Sequence, residues 1–106
     1  MRTGIVVLLV ALWSAVPGGA FAEKVGGGDL TFSPKNARPV VFSHELHVKS
    51  KGIKCIACHY QIFQMSKGSN KIDMSKIKEG DFCGKCHNGQ KAFDVKDQKN
   101  CIRCHR

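Results

Sequence analysis

Cys55-Ile56-Ala57-Cys58-His59, Cys83-Gly84-Lys85-Cys86-His87 and Cys101-Ile102-Arg103-Cys104-His105 are one pattern written three times, Cys-x-x-Cys-His. Two thiols one short turn apart, followed at once by an imidazole, form the attachment signature of c-type haem. The spacing has a chemical reason. The paired thiols add to the two vinyl groups of one haem, and the next residue is placed to offer its imidazole to the iron from one face. All six cysteines of the chain fall in these motifs, so none is left for a structural disulfide. A zinc site built from paired Cys-x-x-Cys would use two pairs, strand the third, and give no reason for a His after every second Cys. A thioredoxin-like motif expects a single Cys-x-x-Cys in a βαβ setting, which this sequence does not offer. The reading is three covalent haems and their irons. Cys55, Cys58, Cys83, Cys86, Cys101 and Cys104 are the attachment points, and His59, His87 and His105 are the proximal ligands.

The start of the chain agrees with that chemistry. Met1-Arg2 is a positive lead, Gly4 to Val16 is apolar, Pro17-Gly18-Gly19 breaks the run, and Ala20-Phe21-Ala22 is an A-x-A cleavage site. This is the pattern of a secretory signal peptide over 1–22. The apolar run falls short of the roughly 20 residues that span a bilayer, and no later segment could span. Haem attachment to Cys-x-x-Cys-His needs reduced thiols and takes place outside the cytoplasm, so the expected compartment is the periplasm. The remaining segments are a flexible glycine-rich lead-in over 23–28 and one haem domain over 29–106.

Residues 23–106 make 84 residues, with five Phe, Tyr60 and a thin set of Ile, Val and Leu for a core. Chains this short bury a modest fraction of their surface and often need staples. Three porphyrins would supply the missing core, and six thioether bonds the staples. The haem-free chain is therefore expected to be largely unfolded. The charge of this segment is about +8, which ordinarily points to an anionic partner. Six propionates and three ferric cores bring the oxidised holoprotein to about +5 and the reduced form to about +2. The Lys excess thus divides between propionates and a docking face for an acidic redox protein. Nucleic acid is not an expected partner.

After the glycine run, Asp29 to Phe32 and Val40 to Phe42 read as a small hairpin around the turn-rich Ser33 to Pro39. Ser43 to Lys51 reads as a short helix with Ser43 as N-cap, carrying His44 and His47 at i, i+3. The two imidazoles share one side of that helix yet diverge enough to reach two irons. Tyr60 to Met65 reads as a continuation of helix out of the first motif, Lys67 to Asn70 as loop, Ile72 to Lys78 as a helical turn or two, and Lys91 to Lys99 mostly as loop. First-cysteine spacings of 28 and 18 rule out a regular solenoid.

Three irons with proximal His59, His87 and His105 need three further ligands, and only His44 and His47 remain among the five histidines. One iron is therefore ligated by another group or left open. Met is the usual second choice and raises the potential relative to a second His. Met65 and Met74 are the candidates, with a lysine amine or an open site as alternatives.

Phe42-Ser43-His44-Glu45-Leu46-His47, followed by three Cys-x-x-Cys-His motifs, resembles the three-haem class III cytochromes c, the c7-type relatives of tetrahaem cytochrome c3. The resemblance runs from Asp29 to Arg106. It implies a small, mostly α and irregular multihaem fold, with a short N-terminal two-stranded hairpin and a few short helices and loops wrapped around three covalently bound haems. It implies electron transfer, often in anaerobic respiration. It pairs His44 with His59 on the first haem and His47 with His87 on the second. The segment before the second motif holds a His in the all-His members. Here 71–82 has none, and the chain resembles instead the subgroup with a Met there, for which Met74 is the matching position opposite His105.

The leading expectation is an electron carrier between redox proteins, not an enzyme and with no catalytic residue, acting as a monomer or as a subunit of a multihaem assembly. The competing readings are a reductase with an open third haem and a subunit of a larger respiratory complex or haem polymer.

Overall fold

The computed structural model describes residue 15 and residues 17–106. The signal peptide expected over 1–22 lies for the most part outside the described residues. Among the described residues no helix is long and apolar enough to cross a membrane.

The hairpin is present. Strands β1 (Leu30–Phe32) and β2 (Val40–Phe42) are antiparallel, with Leu30 opposite Phe42 and Phe32 opposite Val40. The last motif returns to this hairpin from the far end of the chain. His105 forms an antiparallel bridge with Val40, and the Arg106 amide donates to the Pro39 carbonyl at 3.0 Å. The proline-containing link thus ends in an edge that the third motif uses.

Past β2 the chain forms a π-helix over Glu45–Ser50. Ser43 acts as the expected cap, its hydroxyl accepting from the Leu46 amide at 3.2 Å. The wide turn is closed by the Lys51 amide on the Leu46 carbonyl at 3.0 Å. A π-turn rotates less per residue than an α-turn, so side chains three apart diverge further than on an α-helix. π-turns of this kind gather at functional sites, and this one separates His44 from His47.

The three motifs are single turns: α1 (Cys55–Cys58), a 3₁₀ turn over Phe82–Lys85, and α3 (Cys101–Cys104) preceded by a 3₁₀ turn over Gln98–Asn100. Helix α2 (Met74–Glu79) is well bounded. The Asp73 carboxylate caps it by accepting from the Lys76 amide at 3.0 Å and the Ser75 hydroxyl at 2.5 Å. Those bonds hold the Asp73 carboxyl below its usual pKa, the Ser75 hydroxyl contributing most. Gly80, at φ 104, closes the other end. Its amide and that of Asp81 return to the carbonyls of Ile77 and Lys76, a Schellman ending. α2 then packs on the Phe82–Lys85 turn, where Gly84 is buried and a Cβ would collide with the Ile77 carbonyl.

Two segments differ from the expectation. Tyr60 to Met65 does not extend α1. His59 is already extended (ψ 138), Tyr60 sits at φ 70, and the amides of Ile62 and Phe63 both return to the Cys58 carbonyl at 2.9 Å. A one-turn helix has little propagation to lose, and stopping it at His59 turns that residue out of the helical path. The glycine-rich lead-in, expected to be flexible, contains a 3₁₀ turn over Val25–Gly27.

Among the described residues no apolar side chain is buried. Fixing one residue's backbone costs about 1–2 kcal/mol, and full burial of a Leu, Ile or Phe returns about 1.5–3 kcal/mol. The polypeptide alone does not collect that return. The haem-free chain is therefore expected to lack a cooperative thermal transition that the holoprotein shows, measured by calorimetry of both forms. A compact haem-free form with a sharp transition would contradict this. Asp73→Ala is expected to fray α2, seen as about tenfold faster exchange of the Lys76 amide hydrogen with the rest of the protection pattern unchanged.

Candidate functional site

Each Cys-x-x-Cys-His unit closes in the same way. The His59 amide donates to the Cys55 carbonyl, His87 to Cys83 and His105 to Cys101, each at 2.9 Å. One helical turn puts residues i and i+3 on a common side, so each turn presents its two thiols together and leads into its His. The three units also lie near one another. Burial pushes the Cys58, Cys83 and Cys104 thiols above their ordinary pKa. Cys86 adds to the shift at Cys58, while Cys104 and Cys58 add to it at Cys83. The attachment points of the three motifs are thus within electrostatic reach across the middle of the domain.

The imidazoles fall into facing pairs. His44 and His59 have ring centroids 6.4 Å apart with planes 18° from parallel. His47 and His87 are 6.3 Å apart at 68°. Two metal–imidazole bonds of about 2 Å each, plus the two ring radii, make roughly 6.3 Å between centroids. Both pairs therefore match the separation of two imidazoles on one iron and exceed that of rings in direct contact. With the paired thiols and the unburied apolar side chains, the donor set fits haem c.

Backbone carbonyls orient the rings. Nδ1 of His44 lies 2.6 Å from the Gly28 oxygen, Nδ1 of His47 2.8 Å from the Ser43 oxygen, Nδ1 of His87 3.2 Å from the Phe93 oxygen, and Nδ1 of His105 2.8 Å from the Arg38 oxygen. A carbonyl only accepts, so Nδ1 carries the proton in all four and Nε2 keeps the lone pair a metal needs. The fifth ring differs. Nδ1 of His59 is buried without a hydrogen-bond partner. Burial lowers the His87 pKa, opposed by the Phe93 carbonyl, and so favours the neutral form that ligates.

Aromatic neighbours fix the pairs further. Phe42 stands edge-on to His44 at 5.0 Å and lies tilted on His47 at 4.4 Å. Phe93 lies 4.3 Å from His87, and the Arg103 guanidinium sits 3.9 Å above the Phe93 ring. Phe93 and Arg103 carried no signal of this role in the sequence. Neither did the carbonyls of Gly28, Arg38 and Phe93, since any residue supplies one.

Both imidazole pairs are complete without His105, so it has no His partner. Met74 opens α2 and is 40% exposed; Met65 lies in the turn after the first motif and is 61% exposed. Helix α2, which Met74 opens, packs on the Phe82–Lys85 turn of the second motif through Ile77 and Gly84.

A family model described as cytochrome c7 and related cytochrome c matches residues 40–106. Among solved structures, a c7-type three-heme cytochrome domain superposes with a TM-score of 0.65 at 33% identity, over 74% of this chain and 93% of that one. The N-terminal hexaheme fragment of the dodecaheme cytochrome c GSU1996 matches with a TM-score of 0.65 at 40% identity, and this chain spans 48% of its length. The whole dodecaheme protein matches equally well, and this chain spans 24% of it. No curated protein matches.

Gly84→Ala tests the packing of the second motif against α2. The added Cβ meets the Ile77 carbonyl, so a fall of several °C in the melting temperature of the holoprotein is expected, from overpacking worth about 1–3 kcal/mol. An unchanged melting curve would mean that α2 yields freely.

Proposed function

From a chain that belongs to the family of cytochrome c7 and related cytochrome c, and that binds haem c through its Cys-x-x-Cys-His motifs, we propose a three-haem electron carrier working in the periplasm. The two imidazole pairs at 6.4 and 6.3 Å carry this reading. Each pair is spaced as two imidazoles on one iron would be, and two such closed irons in one small domain would suit outer-sphere electron transfer. In this proposal His44 and His59 hold the first iron, His47 and His87 the second, and His105 with Met74 the third. The cysteines Cys55 and Cys58, Cys83 and Cys86, and Cys101 and Cys104 fasten one haem per motif.

Haem c supplies a ferric–ferrous couple in which no bond to substrate is made or broken. The polypeptide does the rest. Carbonyls on Nδ1 strengthen the imidazoles as donors and lower the potential of the irons they bind. A thioether in place of one imidazole raises it, so the third site becomes the lowest resting place for an electron. Phe42 and Phe93 keep the rings from turning, so little reorganisation accompanies each transfer. In this proposal the protein is a carrier, and each residue assigned a role fastens, ligates or orients a haem.

The partners in this reading are other redox proteins with acidic docking faces. Lys78, Lys85 and Lys96 gather with His87 around an open cleft of about 320 Å³, beside Glu79 and Asp94. That basic rim serves an acidic surface or the propionates of the haem beside it. A second reading, a module of a larger multihaem assembly, draws on the relatives in which such a unit makes up about half or a quarter of the chain.

The test is the mass and the ferric far-red absorption of the purified holoprotein. Three added haems and one weak sulfur-to-iron charge-transfer band are expected. The band should vanish in Met74→Ala and persist in Met65→Ala. Loss only in Met65→Ala would move the third ligand, and no band in the wild type would leave the third iron open and reinstate the reductase.

A further inference from the structure

The family match begins at residue 40, so the glycine run at 26–28 lies outside it. Yet this run reaches the most enclosed imidazole of the protein. His44, at 9% exposure, is the one buried polar side chain among the described residues. The Gly28 carbonyl accepts from its Nδ1 at 2.6 Å. An ideal Cβ on Gly26 would lie 2.6 Å from Cδ2, 2.7 Å from Cγ and 2.9 Å from Nε2 of the same ring. The Gly26 backbone therefore rests against the imidazole where no side chain fits.

The arm's own geometry leads it there. Gly26, Gly27 and Gly28 have φ of 60°, 81° and 101°, a run that only glycine adopts without strain. The turn is closed by the Gly27 amide on the Lys24 carbonyl at 3.1 Å and the Gly28 amide on the Val25 carbonyl at 3.0 Å. The three glycines are needed for two separate reasons. One is backbone handedness; the other, at Gly26 alone, is room for His44.

We infer that the Val25–Gly28 turn is a positioning clamp on His44, fixing the ring's orientation, its tautomer and its strength as a donor. The inference rests on His44 being the distal ligand of the first haem. Its force comes from the asymmetry between the two pairs. His47 and His87 both have carbonyl partners, from Ser43 and Phe93. Across from His44, the Nδ1 of His59 is buried and unpartnered. The Gly28 carbonyl is then the sole outer hydrogen bond to either imidazole of the first pair, and the arm sets that site's potential independently of the other two. Outer partners of this kind are worth about 10–100-fold in ligand hold.

The test uses the full-length holoprotein in four variants: Gly26→Ala, Gly27→Ala, a deletion of residues 23–28, and His44→Ala. The readouts are haem-resolved reduction potentials from a redox titration followed by NMR, and the rate and stoichiometry of carbon monoxide binding to the ferrous form. Gly27→Ala is the control, since it also puts an alanine at positive φ but its Cβ meets nothing within 4 Å. In Gly26→Ala and in the deletion, the first haem's potential should rise while the others stay. Carbon monoxide should enter there about 10–100-fold faster than in wild type, and Gly27→Ala should resemble wild type. Equal behaviour of Gly26→Ala and Gly27→Ala, or a deletion that leaves the first haem's potential unchanged, would overturn the clamp. A His44→Ala protein that takes up no additional equivalent of carbon monoxide would instead overturn the ligand reading beneath it.

Discussion

Among the described residues, apolar side chains find no apolar interior of the chain's own making. Phe63 and Phe82 meet at 5.6 Å, and Phe42 and Phe93 meet imidazoles, but none of these residues is buried. A domain of this size must place its apolar surface against something. The haems that the motifs bind would be that something, with the polypeptide as a single layer around them. Short elements follow directly. One-turn helices suffice where the thioether bonds, rather than helix propagation, hold each turn in place.

Such a layer has to deliver imidazoles at fixed positions without a rigid scaffold, and it does so through backbone carbonyls drawn from all over the chain. Gly28, Ser43, Phe93 and Arg38 each hold one ring. The contact between Arg38 and His105 spans 67 residues, so the hairpin and the last motif are tied at the same place where a ligand is oriented. Folding and ligand placement are therefore one event. The hydrogen bond that sets an imidazole's tautomer is also the one that closes the tertiary structure.

The hairpin, the three motif turns and a helical turn within 72–78 were legible in the sequence because each rests on local chemistry: alternation, turn residues and the short Cys-x-x-Cys spacing. The Asp73 cap and the Gly80 ending that bound α2 were not read from it. The pairing of His44 with His59 and of His47 with His87 came from a resemblance; in the structure these rings lie 6.4 and 6.3 Å apart. The wide turn over Glu45–Ser50 was not legible, since π and α turns use the same residue types. Nor was the early exit from α1, where the Cys58 carbonyl collects two amides and no helix-breaking residue stands in the sequence. The glycine run was read as slack because consecutive glycines usually are. What distinguishes it is contact with a residue 16 positions away, which no local pattern encodes.

The carbonyl count gives the sites an order that composition alone could not. A site with two outer hydrogen bonds has both imidazoles strengthened as donors and stabilises the ferric state most. The His47–His87 pair is in that position. The His44–His59 pair has one, and its buried, unpartnered Nδ1 on His59 leaves that ring the weaker donor of the two. A site with a thioether on one side stabilises the ferric state least. If the proposed ligands hold three haems, potential would rise from the second site through the first to the third. The polypeptide would then give electrons a direction through hydrogen bonds and ligand choice, with cofactors that are chemically the same.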